Sequence, residues 1–479
     1  MGLFDSIVDP TDLTAVRRVI AAGPNPGRLV SLDLDHLIIS DNSSEETVSV
    51  IESVLGKANV DLSSAKVATL FDSTIIYRNG EDLKKTTIKI ISEKFQVLEA
   101  LLPGEHVYVD QSTIDLAVKL TKDADVIVSI GGGTVSDIGK LAAVANDSLL
   151  VSLQTAASVD GYTDNVSVLL KDGAKRTVPS TWPKAVIADN TVIKDAPIEL
   201  NTSGFGEMLS LFTAPADWWL ANQLGFDDSF HQTPRDLLVT FAGDPSIWGR
   251  GLSDGNPEAT EQLTKVLAIR GIGTGIAGTT ACLSGVEHLI SHMLDMRAVS
   301  SHENVGLHGA QVGVGSLVAA EAWNYLLEKL SEFDALSEIS QEQLNSSIKN
   351  VFDALDPSGK LAEECWSDCS KKLSKWNANQ SRIESTLLGW KENISELRDI
   401  SPSAELIATS LVVSGSPSEI GDLESWIDDS VWAWAVGNCH LMRNRFTVVD
   451  LLFFLGFWEE VDQREVIERA KQRVVVRHG

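Results

Sequence analysis

The chain has 479 residues, enough for two or three domains around a large core, and its 43% hydrophobic and 22% charged content is that of a folded protein. A formal net charge of −28 argues against nucleic acid and anionic membrane surfaces as partners, so a phosphorylated ligand must be met by local amides, a helix N-terminus, a metal or a few basic residues. The four cysteines (Cys282, Cys365, Cys369, Cys439) are too few for a disulfide scaffold, no apolar run is long enough for a membrane span, and the acidic N-terminus lacks a signal-peptide core, so a cytoplasmic location is expected.

Residues 1–60 read as an N-terminal extension, in which MGLFDS fits the loose M-G-x-x-x-[ST] myristoylation pattern, a six-residue pattern that also recurs by chance. From about 61 to 200 strand-like and helix-like runs alternate. KVATLF (66–71) reads as a strand, TTIKIISEKFQVLEALL as a helix and HVYVD (106–110) as a strand. STIDLAVKLTK is then a helix, DVIVSI (125–130) a fully apolar strand and VSDIGKLAAVAN a helix, followed by the short apolar runs LLVSL (149–153) and AVIAD (185–189). Strands that are apolar on both faces and alternate with helices imply a parallel sheet covered on both sides. From about 201 to 479 the pattern becomes helical, with helices expected at 203–224, 258–296, 308–331, 340–356, 358–395, 403–413, 425–440 and 462–474 and a loop at 242–257. The fold class is therefore α/β, an N-terminal Rossmann-like parallel-sheet domain followed by an all-helical domain.

IGGGTVSD (130–137) stands between the apolar strand and a helix. Consecutive glycines let backbone amides approach a ligand, and a helix N-terminus favours an anion, so this turn is a candidate phosphate cradle; a ligand-free strand–helix turn is the alternative. A second glycine pattern, Gly273, Gly275 and Gly278, follows a helical run rather than a strand, and close packing by small residues explains it better. LQTAASVDGYTDN (153–165) follows another strand and places hydroxyls and two aspartates where open α/β sheets bind ligands, although Asp160-Gly161 also suits plain turn chemistry.

Only nine histidines occur, and four of them (His288, His292, His302, His308) fall within 21 positions. His288 and His292 are one helical turn apart in SGVEHLISHMLDM, so both could face one ion. His308 opens the apolar run LHGAQVGVGSLVAA, and Glu207 in SGFGEMLS offers a carboxylate. Two histidines and one carboxylate form a common catalytic metal set, while clustered helix histidines also occur as hydrogen-bonded core groups.

Taken together, IGGGTVSDIGK, QTAASVDGYT with KRTVPSTWPKAVIAD, SGFGEML…ADW, SGVEHLISHMLDM, LHGAQVGVG and, more weakly, MRNRFTVVDLLFFLG resemble the sn-glycerol-1-phosphate dehydrogenases. These sit within the larger group of iron-dependent alcohol dehydrogenases, glycerol dehydrogenases and dehydroquinate synthases, and the resemblance spans roughly residues 60–455 in order. It implies a dehydroquinate synthase-like fold, with a nucleotide domain, a helical metal-binding domain and the active site in the cleft between them. It further implies that Gly131, Gly132, Gly133, Thr134 and Asp137 hold the pyrophosphate of NAD or NADP, and that Thr155, Ser158 and the catalytic Asp160 lie over nicotinamide and substrate. Glu207, His288 and His308 would be the ligands of one divalent metal, zinc before nickel or iron, with His292 a catalytic helper one turn on. Asp72 would accept from ribose hydroxyls and favour NAD, and Lys175 and Arg176 would meet a substrate phosphate. The implied reaction interconverts a small polyol phosphate and its ketone, of the glycerol 1-phosphate and dihydroxyacetone phosphate type, in an enzyme that is often a homo-oligomer.

Two departures bear on that reading. The family usually carries aspartate where this chain has Glu207, and glutamate there belongs to the dehydroquinate synthase branch, whose members are NAD-using cyclases. That branch also expects a Gly-Lys-Thr-Gly loop, where this chain reads DGYTDNVS. Ala310 replaces a common glutamate after the histidine-glycine pair. A sugar-phosphate cyclase or lyase and a catalytically silent relative are therefore the alternatives.

Overall fold

The computed structural model describes residues 4, 7, 9–104, 106–171, 174–336 and 338–478. It contains strands β1 (His36–Ser40), β2 (Lys66–Asp72), β3 (Tyr77–Arg78), β4 (Glu81–Asp82), β5 (Gln96–Leu102), β6 (Val126–Gly131), β7 (Leu149–Gln154), β8 (Val166–Lys171), β9 (Ala174–Pro179) and β10 (Ala185–Asp189). Six of them form one parallel sheet in the order β1-β10-β7-β6-β2-β5. Its central strands are mainly apolar on both sides because both faces are covered. Val67, Val126, Val128 and Ile130 pack on one side with Ile51, Val54 and Leu55 of the helix Thr47–Lys57. Ala68, Leu70 and Ile127 pack on the other with Ile114 and Ala117 of Gln111–Leu120 and with Ile138 and Ala142 of Gly133–Asn146.

Two compact units result. One comprises residues 1–204 and 232–278 and contains the sheet; the other comprises 205–231 and 279–479 and is helical. The division is thus not a single cut near residue 200, since 232–278 returns to the sheet unit. The segment expected as an extension supplies edge strand β1, whose five residues pair in parallel with β10.

Several elements differ from expectation. The stretch expected as one helix over TTIKIISEKFQVLEALL divides: the helix Leu83–Ser92 ends and β5 follows, matched residue for residue with β2. Its alternation of exposed Glu99 with buried Ala100 and Leu102 fits an edge strand, and the backbone pairing offered by β2 overrides the local helical pattern. HVYVD forms no strand; Asp110 instead caps the helix Gln111–Leu120, accepting from Thr113 N at 2.8 Å. The run expected as 258–296 breaks at Gly278, whose φ of +66° ends the helix Pro257–Ala277 before Val286–Ser301 begins. Within Pro257–Ala277, Gly273 lies against Leu238 and Gly275 against the Trp182 ring, where a β-carbon would come within 2.1 Å of Trp182 Cη2. The second glycine pattern is a packing surface. The antiparallel pair β8–β9 is an element that the sequence pattern does not single out. No described helix is long and apolar enough to cross a membrane.

Candidate metal centre and nucleotide turn

In the helical unit three helices bring Glu207, His288 and His308 together. Glu207 lies on Ile198–Leu209, His288 in the first turn of Val286–Ser301, and His308 at the first position of His308–Lys329. One ligand-type atom from each residue lies within 4.8 Å of the others. His288 Nε2 is 3.2 Å from Glu207 Oε1, and His308 Nε2 is 3.7 Å from Glu207 Oε2. His292 stands outside this trio, partly exposed, its ring centroid 6.4 Å from that of His288 and 5.5 Å from that of His308.

The approach is so close because the Glu207 and His308 helices meet at glycines. A β-carbon on Gly206 would lie 2.3 Å from Gly309 O, and one on Gly313 would lie 2.9 Å from Gly206 Cα. The His288 helix closes on the same partner through Gly315, where a β-carbon would sit 3.1 Å from Glu287 Cα.

The outward-facing nitrogens of both imidazoles are engaged. His288 Nδ1 is 2.9 Å from Glu287 Oε1, and Glu287 is fixed in turn by Gly285 N at 2.7 Å and Thr213 Oγ1 at 2.9 Å. His308 Nδ1 is 2.8 Å from Ser291 Oγ. Nitrogens held in this way leave the two Nε2 atoms, with their lone pairs, turned toward a carboxylate. That is the pattern of metal-ligating histidines, in which an outer partner sets the tautomer. Three electron-pair donors at such short range need a cation among them, so the residues fit a divalent metal. A proton is the competing cation: burial alone would keep His288 neutral, but the carboxylates of Glu207 and Glu287 outweigh it and push its pKa up to about 9. Behind Glu287, buried Asp217 accepts from Val286 N, Val448 N and Trp323 Nε1, and burial together with the charge of Glu287 pushes it up to about 8.

In the sheet unit, the turn Gly131-Gly132-Gly133 joins β6 to the helix Gly133–Asn146. Gly131 and Gly133 are demanded sterically, since β-carbons there would meet Val135 at 2.7 Å and Val159 at 2.6 Å, whereas the site above Gly132 is open. No side chain caps this helix, so the amides after Gly132, including that of Thr134, are left for an anion.

Asp137 lies about one turn into this helix. Its carboxylate pairs with buried Lys140 at 3.1 Å, and Lys140 Nζ also donates to Asp164 Oδ1 at 2.7 Å, to Gly161 O at 2.8 Å and to Val166 O. Burial pushes Asp164 up to about 6 even with Lys140 beside it. The cluster ties the DGYTDN loop to the glycine-turn helix. Lys140→Met would leave buried Asp164 and half-buried Asp137 without their cation and is expected to cost about 3–5 kcal/mol, read as a lower urea midpoint at unchanged slope.

The same loop is held from its other side. Thr163 Oγ1 donates to Ala268 O at 2.7 Å, and Asp160 Oδ2 is 3.5 Å from the guanidinium of buried Arg270. Thr155 is buried at the end of β7, Ser158 is half-buried, and Asn201 Oδ1 accepts from Ala157 N between them. Asp72 ends β2 and is gripped by Lys84 Nζ at 2.5 Å, with Thr74 N also donating to it. Arg176 is on β9, opposite Leu169; the Lys175 side chain lies outside the described residues. Sequence reasoning passes over Glu287, Ser291, Gln311, Lys140 and Arg270. Each is a buried polar residue among apolar neighbours, and polarity at a core position of a helix is the available signal.

A parallel-sheet unit with an uncapped glycine turn, and a helical unit carrying a carboxylate and two imidazoles, define a nucleotide-linked metalloenzyme as the class. Comparison with known proteins narrows this. Residues 43–197 match the family model described as iron-containing alcohol dehydrogenase. The glycerol-1-phosphate dehydrogenase [NAD(P)+] of Aeropyrum pernix is 32% identical over 241 residues, 48% of this chain and 67% of the relative. That of Bacillus licheniformis is 26% identical over 335 residues, 69% of this chain and 79% of the relative. Among solved structures, the glycerol dehydrogenase from Schizosaccharomyces pombe aligns with a TM-score of 0.56 at 15% identity, covering 93% of this chain and 92% of its own, which shows a shared fold. The chain belongs to the glycerol-1-phosphate dehydrogenase family, within the iron-containing alcohol dehydrogenases.

Proposed function

We propose that the protein is an NAD(P)-linked, metal-dependent oxidoreductase that interconverts glycerol 1-phosphate, or a polyol phosphate of the same class, and the corresponding ketone. The observation that carries this reading is the convergence of Glu207, His288 and His308 in a chain of this family. Bound there, a divalent ion, with zinc first, supplies Lewis acidity toward the substrate oxygen, and NAD(P) supplies the hydride acceptor. The protein's own residues do the rest. Glu207 and the two Nε2 atoms hold the ion, and Glu287 and Ser291 keep both imidazoles turned inward. His292, partly exposed beside His308, carries the substrate hydroxyl proton toward solvent. The amides after Gly132 receive the cofactor pyrophosphate, and Asp72, steadied by Lys84, accepts from a ribose hydroxyl and so favours NAD. Asp160, with Thr155 and Ser158, orients nicotinamide and substrate, and Lys175 with Arg176 offsets the phosphate charge against the acidic whole. The four buried thiols suit a reducing cytoplasm. What favours this reading over a cyclase is the similarity to glycerol-1-phosphate dehydrogenases, at 26% and 32% identity.

The test is absorbance at 340 nm with zinc-loaded protein, dihydroxyacetone phosphate and NADH or NADPH. Steady loss of absorbance that stops after chelation is expected. Conversion of a sugar phosphate without net cofactor loss would instead establish the cyclase.

A further inference from the structure

Gln311 lies three residues after His308 on the same helix, fully buried, and its Nε2 group has no hydrogen-bond partner. A buried amide with two unpaired N–H bonds is unfavourable, and an apolar side chain of equal length would fill the position without that penalty. The other end of the amide is engaged: Ser291 Oγ donates to Gln311 Oε1 at 2.7 Å. A hydroxyl has one hydrogen. With that hydrogen given to Gln311, Ser291 Oγ can meet His308 Nδ1, at 2.8 Å, only as an acceptor. His308 must then carry its proton on Nδ1 and present a bare Nε2 to Glu207.

We propose that Gln311, acting through Ser291, is a positioning residue that locks His308 in the metal-binding tautomer. This rests on the metal reading above. The relay runs from the His308 helix to the His288 helix and back. Without Gln311 Oε1, the Ser291 hydroxyl is free to turn and donate to Nδ1. The proton then moves to Nε2, where it blocks the ligand lone pair.

The proposal separates two quantities that a merely structural role would move together. Full-length wild type, Gln311→Met, Ser291→Ala and the double variant are stripped with chelator and titrated with cobalt(II), without cofactor or substrate, following the visible absorption of the bound ion. Gln311→Met is expected to weaken cobalt binding by ~10–100-fold. The melting temperature of the metal-free variant should be unchanged or higher, since an unpaired buried amide has been removed. The double variant should bind no more weakly than the weaker single variant, because both act on one relay. Unchanged cobalt affinity in Gln311→Met overturns the relay. A fall in melting temperature alongside affinity also overturns it, in favour of packing. If wild type itself binds no cobalt, the metal reading fails and the relay with it, a failure that the wild-type titration alone reveals.

Discussion

Replacing His308 with alanine is expected to abolish both metal retention and turnover. His308 contributes one of only two imidazoles in the cluster, and its Nε2 faces Glu207 Oε2 at 3.7 Å. Its side chain is a quarter exposed at the end of a helix, so truncation opens the position to solvent rather than leaving an enclosed cavity, and the variant should fold. What it loses is a ligand, with an effect larger than the ~10–100-fold that loss of an outer-shell partner costs. Metal analysis after gel filtration checks retention, and absorbance at 340 nm checks turnover. Full activity in the variant would refute the assignment. His292→Ala provides the contrast: lying outside the trio, it is expected to retain metal while losing rate.

The second large effect is predicted at Gly206. Its helix touches the His308 helix backbone to backbone, and a β-carbon would sit 2.3 Å from Gly309 O. No rotamer relieves an overlap between a β-carbon and a carbonyl, so the helices must separate by roughly 1 Å to restore van der Waals contact. The displaced residues are then the neighbours of Gly206 and Gly309 in sequence, Glu207 and His308. Gly206→Ala is expected to cost about 1–3 kcal/mol as overpacking and to lose metal as well. Gly389 is the control: it is helical and exposed, and a β-carbon there would meet nothing within 4 Å, so Gly389→Ala should be neutral or stabilising by up to ~1 kcal/mol. Thermal melts of the three proteins with and without zinc would decide; Gly206→Ala melting and binding zinc like wild type would refute the argument.

The two glycine-rich segments show why some features are legible in sequence. IGGGTVSD follows an apolar strand and opens a helix, an order that only a strand–turn–helix satisfies, and the structure has that turn at those residues. In the Gly273–Gly278 segment the first two glycines lie within a helix and the third caps its C-terminus, and the preceding helical run already argues against a nucleotide turn. Where expectation and structure differ, the deciding partner is distant in sequence. QVLEALL is a strand because β2, some thirty residues earlier, pairs with it along its whole length. Residues 36–40 are a strand because β10, far along the chain, offers a free edge.

Asp137 marks a different limit. Its place on the glycine-turn helix follows from the sequence pattern, whereas its pairing with Lys140, one helical turn away, in a cluster with Asp164 does not. A residue's place on an element follows from local pattern, while the direction in which its side chain is used depends on whichever charges the fold buries beside it.

By itself, then, the sequence determined most of the alternation of strands and helices in the sheet unit, the helical character of the second unit and the residue types of a candidate three-ligand cluster, because apolar period and ligand chemistry are local properties. The tertiary structure decided which histidines face Glu207, how near the three helices come, and which nitrogen of each imidazole is turned toward the carboxylate. Those depend on glycine contacts between helices and on Glu287, Ser291 and Gln311 packed behind the ligands, and no spacing along one chain segment encodes a hydrogen bond made across three.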